Sequence, residues 1–375
     1  MDTVVLTTAL SNNYGAALQT YAMVKAINKT GAEAVVYRYN NPNRINNSMT
    51  IKQRIIHNIW NVVTVAIGRK KKQKKFEEFR NEYIPLTEQL FQSSEELMRN
   101  YGNYDVYIAG SDQIWNPDFF IDDLSYFLDF LPEEKKRISY ASSFGKSEFK
   151  SEKYRDKCAM LLSRFQHISV REQSGMKIAK SLCGIDAEWV LDPTLLLNKY
   201  DWMKLADTDI LTDEIILCYT MPGDRVVTES IEKIAKQLQL ITGLPVVRIG
   251  NKEYDVFKYG RKSCDIEAGP LEFVRYFLKA KYVVTNSFHG TAFSLNLDKD
   301  FIIPINDSLK TSTALHERIL SILKLLGAES AVIKTSELDK TIDFSKHAIQ
   351  HGKISDKLEE ERKRSFEYLK LAIGD

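Results

Sequence analysis

Short apolar runs recur along the chain, each followed by a stretch with helical spacing. "TVVLTTA" reads as a buried strand. "YGAALQTYAMVKAINKTG" follows it, with Ala17, Tyr21, Val24 and Ile27 on one helical face and Gly31 as a C-terminal stop. "AEAVVYRY", "YDVYIAG", "RISYASSF", "HISVRE" and "AEWVLD" continue the series of strands, with helical stretches between several of them. Near-continuous apolar strands alternating with helices predict an α/β fold with a mostly parallel sheet. After about residue 200 the pattern restarts with "EIILCYTM", "LPVVRIG", "KYVVTNS" and "FIIPIN" as strands. Helices lie between them, and "TSTALHERILSILKLLG" closes the series with a Ser/Thr start and a Gly stop. Two α/β halves are therefore expected, 1–200 and 201–330, with a boundary near "DPTLLLNKYDW". A segment 331–375 follows, whose amphipathic helix packs back on the first half.

The stretch 41–100 breaks the alternation and reads as a helical insert. Apolar residues at 51, 55, 59, 62 and 66 precede a basic run that includes Lys70, Lys71, Lys72, Lys74 and Lys75. Two readings fit: a helix packed on the domain surface with a solvated end, or an amphipathic helix over 51–75 touching anionic lipid at the inner membrane face.

Composition narrows the field. A length of 375 residues favours two domains, and Lys+Arg 52 against Asp+Glu 50 gives no overall field for nucleic acid. The four cysteines, Cys158, Cys183, Cys218 and Cys264, have no CxxC spacing and read as free thiols of a reducing cytoplasm. The first residues lack the features of a signal peptide, and no apolar window reaches a membrane span. His57, His167, His316, His347 and His351 show no metal-ligand spacing, and no P-loop, GxGxxG or GxSxG is present.

Ligands of open α/β sheets bind beyond the carboxyl ends of the strands, so the strand-to-helix turns hold the candidate chemistry. In "SNNYGAALQ", Asn12 or Asn13 caps a helix whose N-terminus attracts a polar or anionic group. In "IAGSDQIWNP", Ser111, Asp112, Gln113, Trp115 and Asn116 crowd one loop. Either they form a sugar-binding surface with the indole as its ring face, or Trp115 belongs to the core. In "ISVREQSG", Arg171 ends an apolar strand. It suits a carboxylate or phosphate, or else a surface ion pair with Glu172 or Asp192. In "NSFHG", His289 stands at a helix start. The helix field favours its neutral ring and a bound phosphate its protonated form, a balance that suits a proton donor to a phosphorylated substrate. The bland alternative is a histidine that caps the turn.

Taken in order, "NNYGAALQTYA", "YDVYIAGSDQIWN", "ISYASSFG", "ISVREQSG", "VLDPTLLL" and "TNSFHGTAFSLN" resemble the polysaccharide pyruvyl transferase family, over roughly 10 to 326. The resemblance implies two Rossmann-like domains facing a cleft, as in GT-B glycosyltransferases, with 1–200 on the acceptor side and 201–330 on the donor side. It implies phosphoenolpyruvate as co-substrate, no cofactor or metal, and a bacterial surface glycan as acceptor, carried on polyprenyl diphosphate. By resemblance, Arg171 and His289 are catalytic and belong to the donor site, with Ser287, Phe288, Gly290 and Arg318. Asn13, Tyr14, Gly15, Ser111, Asp112, Gln113 and Trp115 fall to the acceptor, and Asp112 and Glu172 are candidate bases. Two other classes remain open at this level: a nucleotide-sugar glycosyltransferase of the same architecture, and a non-catalytic glycan-binding component of capsule assembly.

Overall fold

The computed structural model describes residues 1–41, 63–119, 123–208, 214–250, 263–308, 314–338 and 340–374. The chain divides into two compact units. The first is Met1–Trp60, Glu77–Leu196 and Glu360–Asp375, and the second is Asn61–Phe76 and Leu197–Glu359.

β1 (Asp2–Leu6), α1 (Tyr14–Lys29) and β2 (Glu33–Tyr39) open the chain. α2 (Val63–Tyr83), β3 (Leu86–Phe91), α3 (Ser94–Arg99), β4 (Val106–Ala109), β5 (Arg137–Ser139) and α4 (Arg155–Leu162) follow. β6 (Ser169–Val170), α5 (Gln173–Cys183), β7 (Glu188–Trp189) and α6 (Pro193–Leu196) complete the first run. The first unit's sheet is parallel, in the order β3-β2-β1-β4-β5. Its middle strand is apolar on both faces because helices cover both; Val4, Val5 and Leu6 are fully buried. Strand order reverses between β1 and β4, whose ends are in register at Leu6 and Ala109. The loops after these two strands therefore leave the sheet side by side, where an open α/β sheet forms its crevice.

The second unit carries α7 (Lys199–Leu205), β8 (Ile215–Thr220), α8 (Arg225–Thr242), β9 (Val246–Gly250), β10 (Cys264–Asp265) and α9 (Pro270–Lys279). β11 (Ala280–Thr285), α10 (Phe288–Asn296), β12 (Asp300–Ile305), α11 (Ala314–Leu326), β13 (Val332–Lys334) and α12 (His351–Gly374) complete the chain. The sheet order is β10-β9-β8-β11-β12-β13, again parallel. Here the order reverses between β8 and β11, paired at Tyr219 and Thr285.

The stretch 41–100 differs from the expected helical insert. Leu86–Phe91 is the edge strand of the first sheet, paired with β2 at Val36–Leu86 and Arg38–Leu90. The sequence "LTEQLF" is half exposed and lacks an apolar run, which hid the strand. Residues 51–62 of the proposed lipid-facing helix lie outside the described residues. Within α2, Lys71 pairs with Glu267 at 3.1 Å and Lys75 with Glu272 at 2.8 Å, and Lys72 donates to the Gly250 carbonyl at 3.4 Å. Lys71, Lys72 and Lys75 thus have partners in the second unit. Among the described residues, no helix is long and apolar enough to cross a membrane.

The last turns of α12 belong to the first unit. Arg362 donates to Leu195 O at 2.8 Å, the Leu191 amide donates to Ser365 Oγ at 3.0 Å, and Arg364 donates to Trp189 O at 2.7 Å. These contacts brace the segment that carries Asp192.

Candidate functional site

At the first switch point, one guanidinium is held among three acids. Arg171 leaves β6, and its Nη1 donates to Asp192 Oδ2 at 2.8 Å. Its Nη2 lies 3.5 Å from Asp112 Oδ1, and its Nε lies 4.0 Å from Glu172 Oε2. The Arg171 side chain is 1% exposed. Burial works against its charge, yet Asp192, Asp112 and Glu172 outweigh burial and hold its pKa above the ordinary value.

Each acid has its own support. Asp192 accepts from the Thr194 amide at 2.9 Å, the Thr194 hydroxyl at 2.7 Å and Ser111 Oγ at 3.3 Å. Glu172 accepts from Ser143 Oγ at 2.9 Å. Asp112 accepts from Thr8 Oγ1 at 3.0 Å, which ties the loop after β4 to the loop after β1. Glu172 and Asp192 are sealed, whereas the Asp112 side chain is 19% exposed. Asp112 is thus the acid of this cluster that reaches solvent. Gly110 precedes the loop with φ +131, and a Cβ there would strike the Tyr140 carbonyl, so only glycine fits.

At the second switch point, α10 starts from a fully built turn. Thr285 Oγ1 donates to Tyr219 O at 2.7 Å and accepts the Ser287 amide at 3.1 Å. Ser287 is the cap, with its Oγ accepting from the Gly290 amide at 3.3 Å. Gly290 approaches Thr285 so closely that any Cβ would meet its hydroxyl. All nine residues of α10 are buried. His289 is 9% exposed, and its ring meets that of Phe288 edge-on at 5.4 Å.

Beside this turn, Asn286 brackets the loop after β8. Its Oδ1 accepts from the Met221 amide at 2.7 Å, and its Nδ2 donates to Met221 O at 3.1 Å. Asp224 caps α8 and accepts from Asn306 Nδ2 at 2.6 Å. His316 and Arg318 are buried near the start of α11. Burial lowers the His316 pKa, and the Asp224 carboxylate opposes that shift.

A family model described as polysaccharide pyruvyl transferase matches residues 13–308. The chain belongs to the polysaccharide pyruvyl transferase family. Among curated proteins, none matches the chain. Solved structures share its fold, two of them as follows. One is a Methanocaldococcus jannaschii UDP-GlcNAc 2-epimerase, 11% identical, TM-score 0.54, covering 93% of this chain and 94% of its own. The other is a Listeria monocytogenes protein described as a putative UDP-N-acetylglucosamine 2-epimerase, 10% identical, TM-score 0.51, covering 99% and 91%. The pyruvyl transferase chain thus has two Rossmann-like units of the GT-B class.

Against this frame the expected site residues divide. The first unit holds Asn13, Tyr14, Gly15, Ser111, Asp112, Gln113 and Trp115, together with Arg171. The second holds Ser287, Phe288, His289, Gly290 and Arg318. Asn13 is the cap of α1, its Oδ1 accepting from the Ala16 amide at 3.2 Å. Gln113 accepts from Asn116 Nδ2 at 3.1 Å.

Four expectations change. Trp115 is no sugar platform: it is fully buried, stacked on Phe127 at 5.5 Å, and its Nε1 donates to Tyr126 O. Ser111 is sealed, with its hydroxyl on Ala141 O and Asp192. Phe288 is a buried backing ring, so its side chain offers a ligand nothing polar. Arg171 makes the ion pairs with Asp192 and Glu172 that one reading expected, but buried instead of at the surface, as the counter-charge of an acid cluster that also includes Asp112. The sequence reading missed Asp224, Asn306 and the placement of His316. Asn306 follows β12 directly, a usable signal, and Asp224 caps the helix after β8. His316 was considered only as a metal ligand.

Proposed function

We propose that the enzyme moves the enolpyruvyl group of phosphoenolpyruvate onto two hydroxyls of a sugar in a bacterial surface polysaccharide or its polyprenyl-diphosphate-linked precursor. One hydroxyl oxygen adds to C2 and the methylene carbon C3 takes a proton. The C2–O bond to phosphate breaks, and the second hydroxyl oxygen closes the cyclic ketal. Two hydroxyl protons are released. One is balanced by the new methyl hydrogen and the other leaves with inorganic phosphate.

The turn from Thr285 to Gly290 carries this reading. It pairs the N-terminus of a buried helix with a histidine at the switch point of the second sheet. Backbone amides there suit the phosphate, and His289 supplies the proton. Arg318 adds positive charge from α11. The task at C2 is electrostatic: charge must be stabilised on the leaving phosphate as the bond breaks.

Tyr14, expected among the acceptor-binding residues, is only 1% exposed and belongs to the core. On the acceptor side, Asn13, Gly15 and Gln113 bind the sugar, and Asp112 removes the hydroxyl proton. Its exposure favours it over Glu172, which is sealed and accepts from Ser143. Arg171 is a positioning residue that fixes Asp112. No cofactor enters this scheme. The acceptor's lipid carrier would bring the enzyme to the inner face of the membrane.

The test is phosphate release from phosphoenolpyruvate in the presence of a glycan acceptor. His289→Asn and Asp112→Asn are expected to abolish most of it while the protein stays folded. Full activity in both variants would remove the site assignment.

A further inference from the structure

Buried arginines of the first unit are answered by acids or carbonyls, as burial of a charge requires. Arg171 meets Asp192. Arg137 donates to the carbonyls of Leu131, Pro132, Glu133 and Lys135. Arg362 donates to Leu195 O.

Arg80 is different. It is 7% exposed, and among the described residues it has no ion pair. Its Nη1 donates to a neutral partner, Asn12 Oδ1, at 3.0 Å. Asn12 directly precedes Asn13, the cap of the 16-residue helix α1. The guanidinium therefore lies against the positive end of a helix, where a cation is disfavoured unless an anion joins it. Two further charges act on Arg80: Glu77 attracts it, and the exposed Arg38 at the end of β2 repels it. A helix N-terminus and a guanidinium bonded only to a neutral side chain meet at the loop after β1. Through Thr8 the same loop is bonded to Asp112.

We propose that Arg80, held by Asn12 at the N-terminus of α1, binds a phosphate or diphosphate group carried by the acceptor. The planar fork and the helix amides together match a phosphate's oxygens. That the group belongs to the acceptor rests on the function proposed above, which gives the donor's phosphate to the second unit. The anion site itself does not depend on it. The chemistry shared by a lipid carrier and a nucleotide carrier is the phosphate, which is what the guanidinium and the helix end recognise.

Isothermal titration calorimetry of the full chain, without turnover, tests the site. Inorganic diphosphate, farnesyl diphosphate and UDP are the probes. The wild-type protein is expected to bind the diphosphate group, more weakly at high salt. Arg80→Gln should weaken binding roughly ten- to hundredfold, the loss of one charge-assisted contact pair. Arg80→Lys should recover part of it. If Arg80→Gln melts early, Asn12→Ala replaces it: Asn12 is exposed, and without its Oδ1 the guanidinium is no longer held at the helix end, so binding should weaken as well. Tighter binding of farnesyl diphosphate than of UDP identifies a lipid carrier, and the reverse a nucleotide. Equal binding of a probe by wild type and both variants, or no binding of any probe by wild type, overturns the proposal. Diphosphate binding that survives a failure to use phosphoenolpyruvate would leave this site standing and remove the donor assignment alone.

Discussion

Arg171 holds its charge among Asp192, Asp112 and Glu172, almost wholly out of water. Removing it strands buried carboxylates. Arg171→Ala is expected to destabilise the protein by about 3–5 kcal/mol, read from the midpoint of urea unfolding. An inactive Arg171→Ala would then report a damaged fold, so the partly exposed Asp112 is the cleaner probe of chemistry. Asp112→Asn should lower kcat by about 10²–10⁴-fold, with a smaller effect on the KM for phosphoenolpyruvate. Trp115 tests the opposite case. Its indole fills an aromatic cluster with Phe127, Phe144 and Phe165. Trp115→Ala should cost about 3–5 kcal/mol of stability. A folded, stable Trp115→Ala with a raised acceptor KM would restore the sugar-platform role rejected above.

Elements were legible in the sequence where burial is simple. Strands buried on both faces, such as "TVVLTTA" and "KYVVTNS", announce themselves as apolar runs. β3 did not, because an edge strand carries Thr, Glu and Gln side chains, the last two exposed, that break the run. The turn at His289 was visible as a strand running into a helix start. The placement of His316 was not, since α11 brings it to Asp224 from later in the chain. Arg171 was visible as a charge ending a strand with Glu172 or Asp192 as partners, but Asp112 and Asp192 arrive on separate segments, so its burial could not be read. The tight contact at Gly290 was equally hidden. Gly290→Ala forces a methyl onto the Thr285 hydroxyl. It should cost about 1–3 kcal/mol as overpacking and reduce activity by shifting the α10 start, checked by thermal melting beside an assay.

The pH dependence of stability is a property of the whole molecule to which two histidines contribute with opposite sign. His316 is lowered by burial, so the unfolded chain binds its proton more readily. Its contribution is complete above the ordinary histidine value of about 6.5 and is lost as pH falls through the depressed folded value. His351 is raised by its 2.9 Å hydrogen bond to Asp300. Its contribution is complete below the ordinary value and fades as pH rises through the elevated one, and it is the smaller because the pair is part exposed. Melting curves from pH 5 to 8 should show an acid-side loss that is shallower in His316→Gln. Activity is the more direct property. The measurement that bears on the central claim is incubation of the full chain with phosphoenolpyruvate and a surface-glycan precursor, following phosphate and the mass of the glycan together. One phosphate released for each glycan gaining a pyruvate ketal, with neither change in His289→Asn, is the expected result. No phosphate and an unaltered glycan with phosphoenolpyruvate, while a nucleotide sugar is consumed instead, would contradict it.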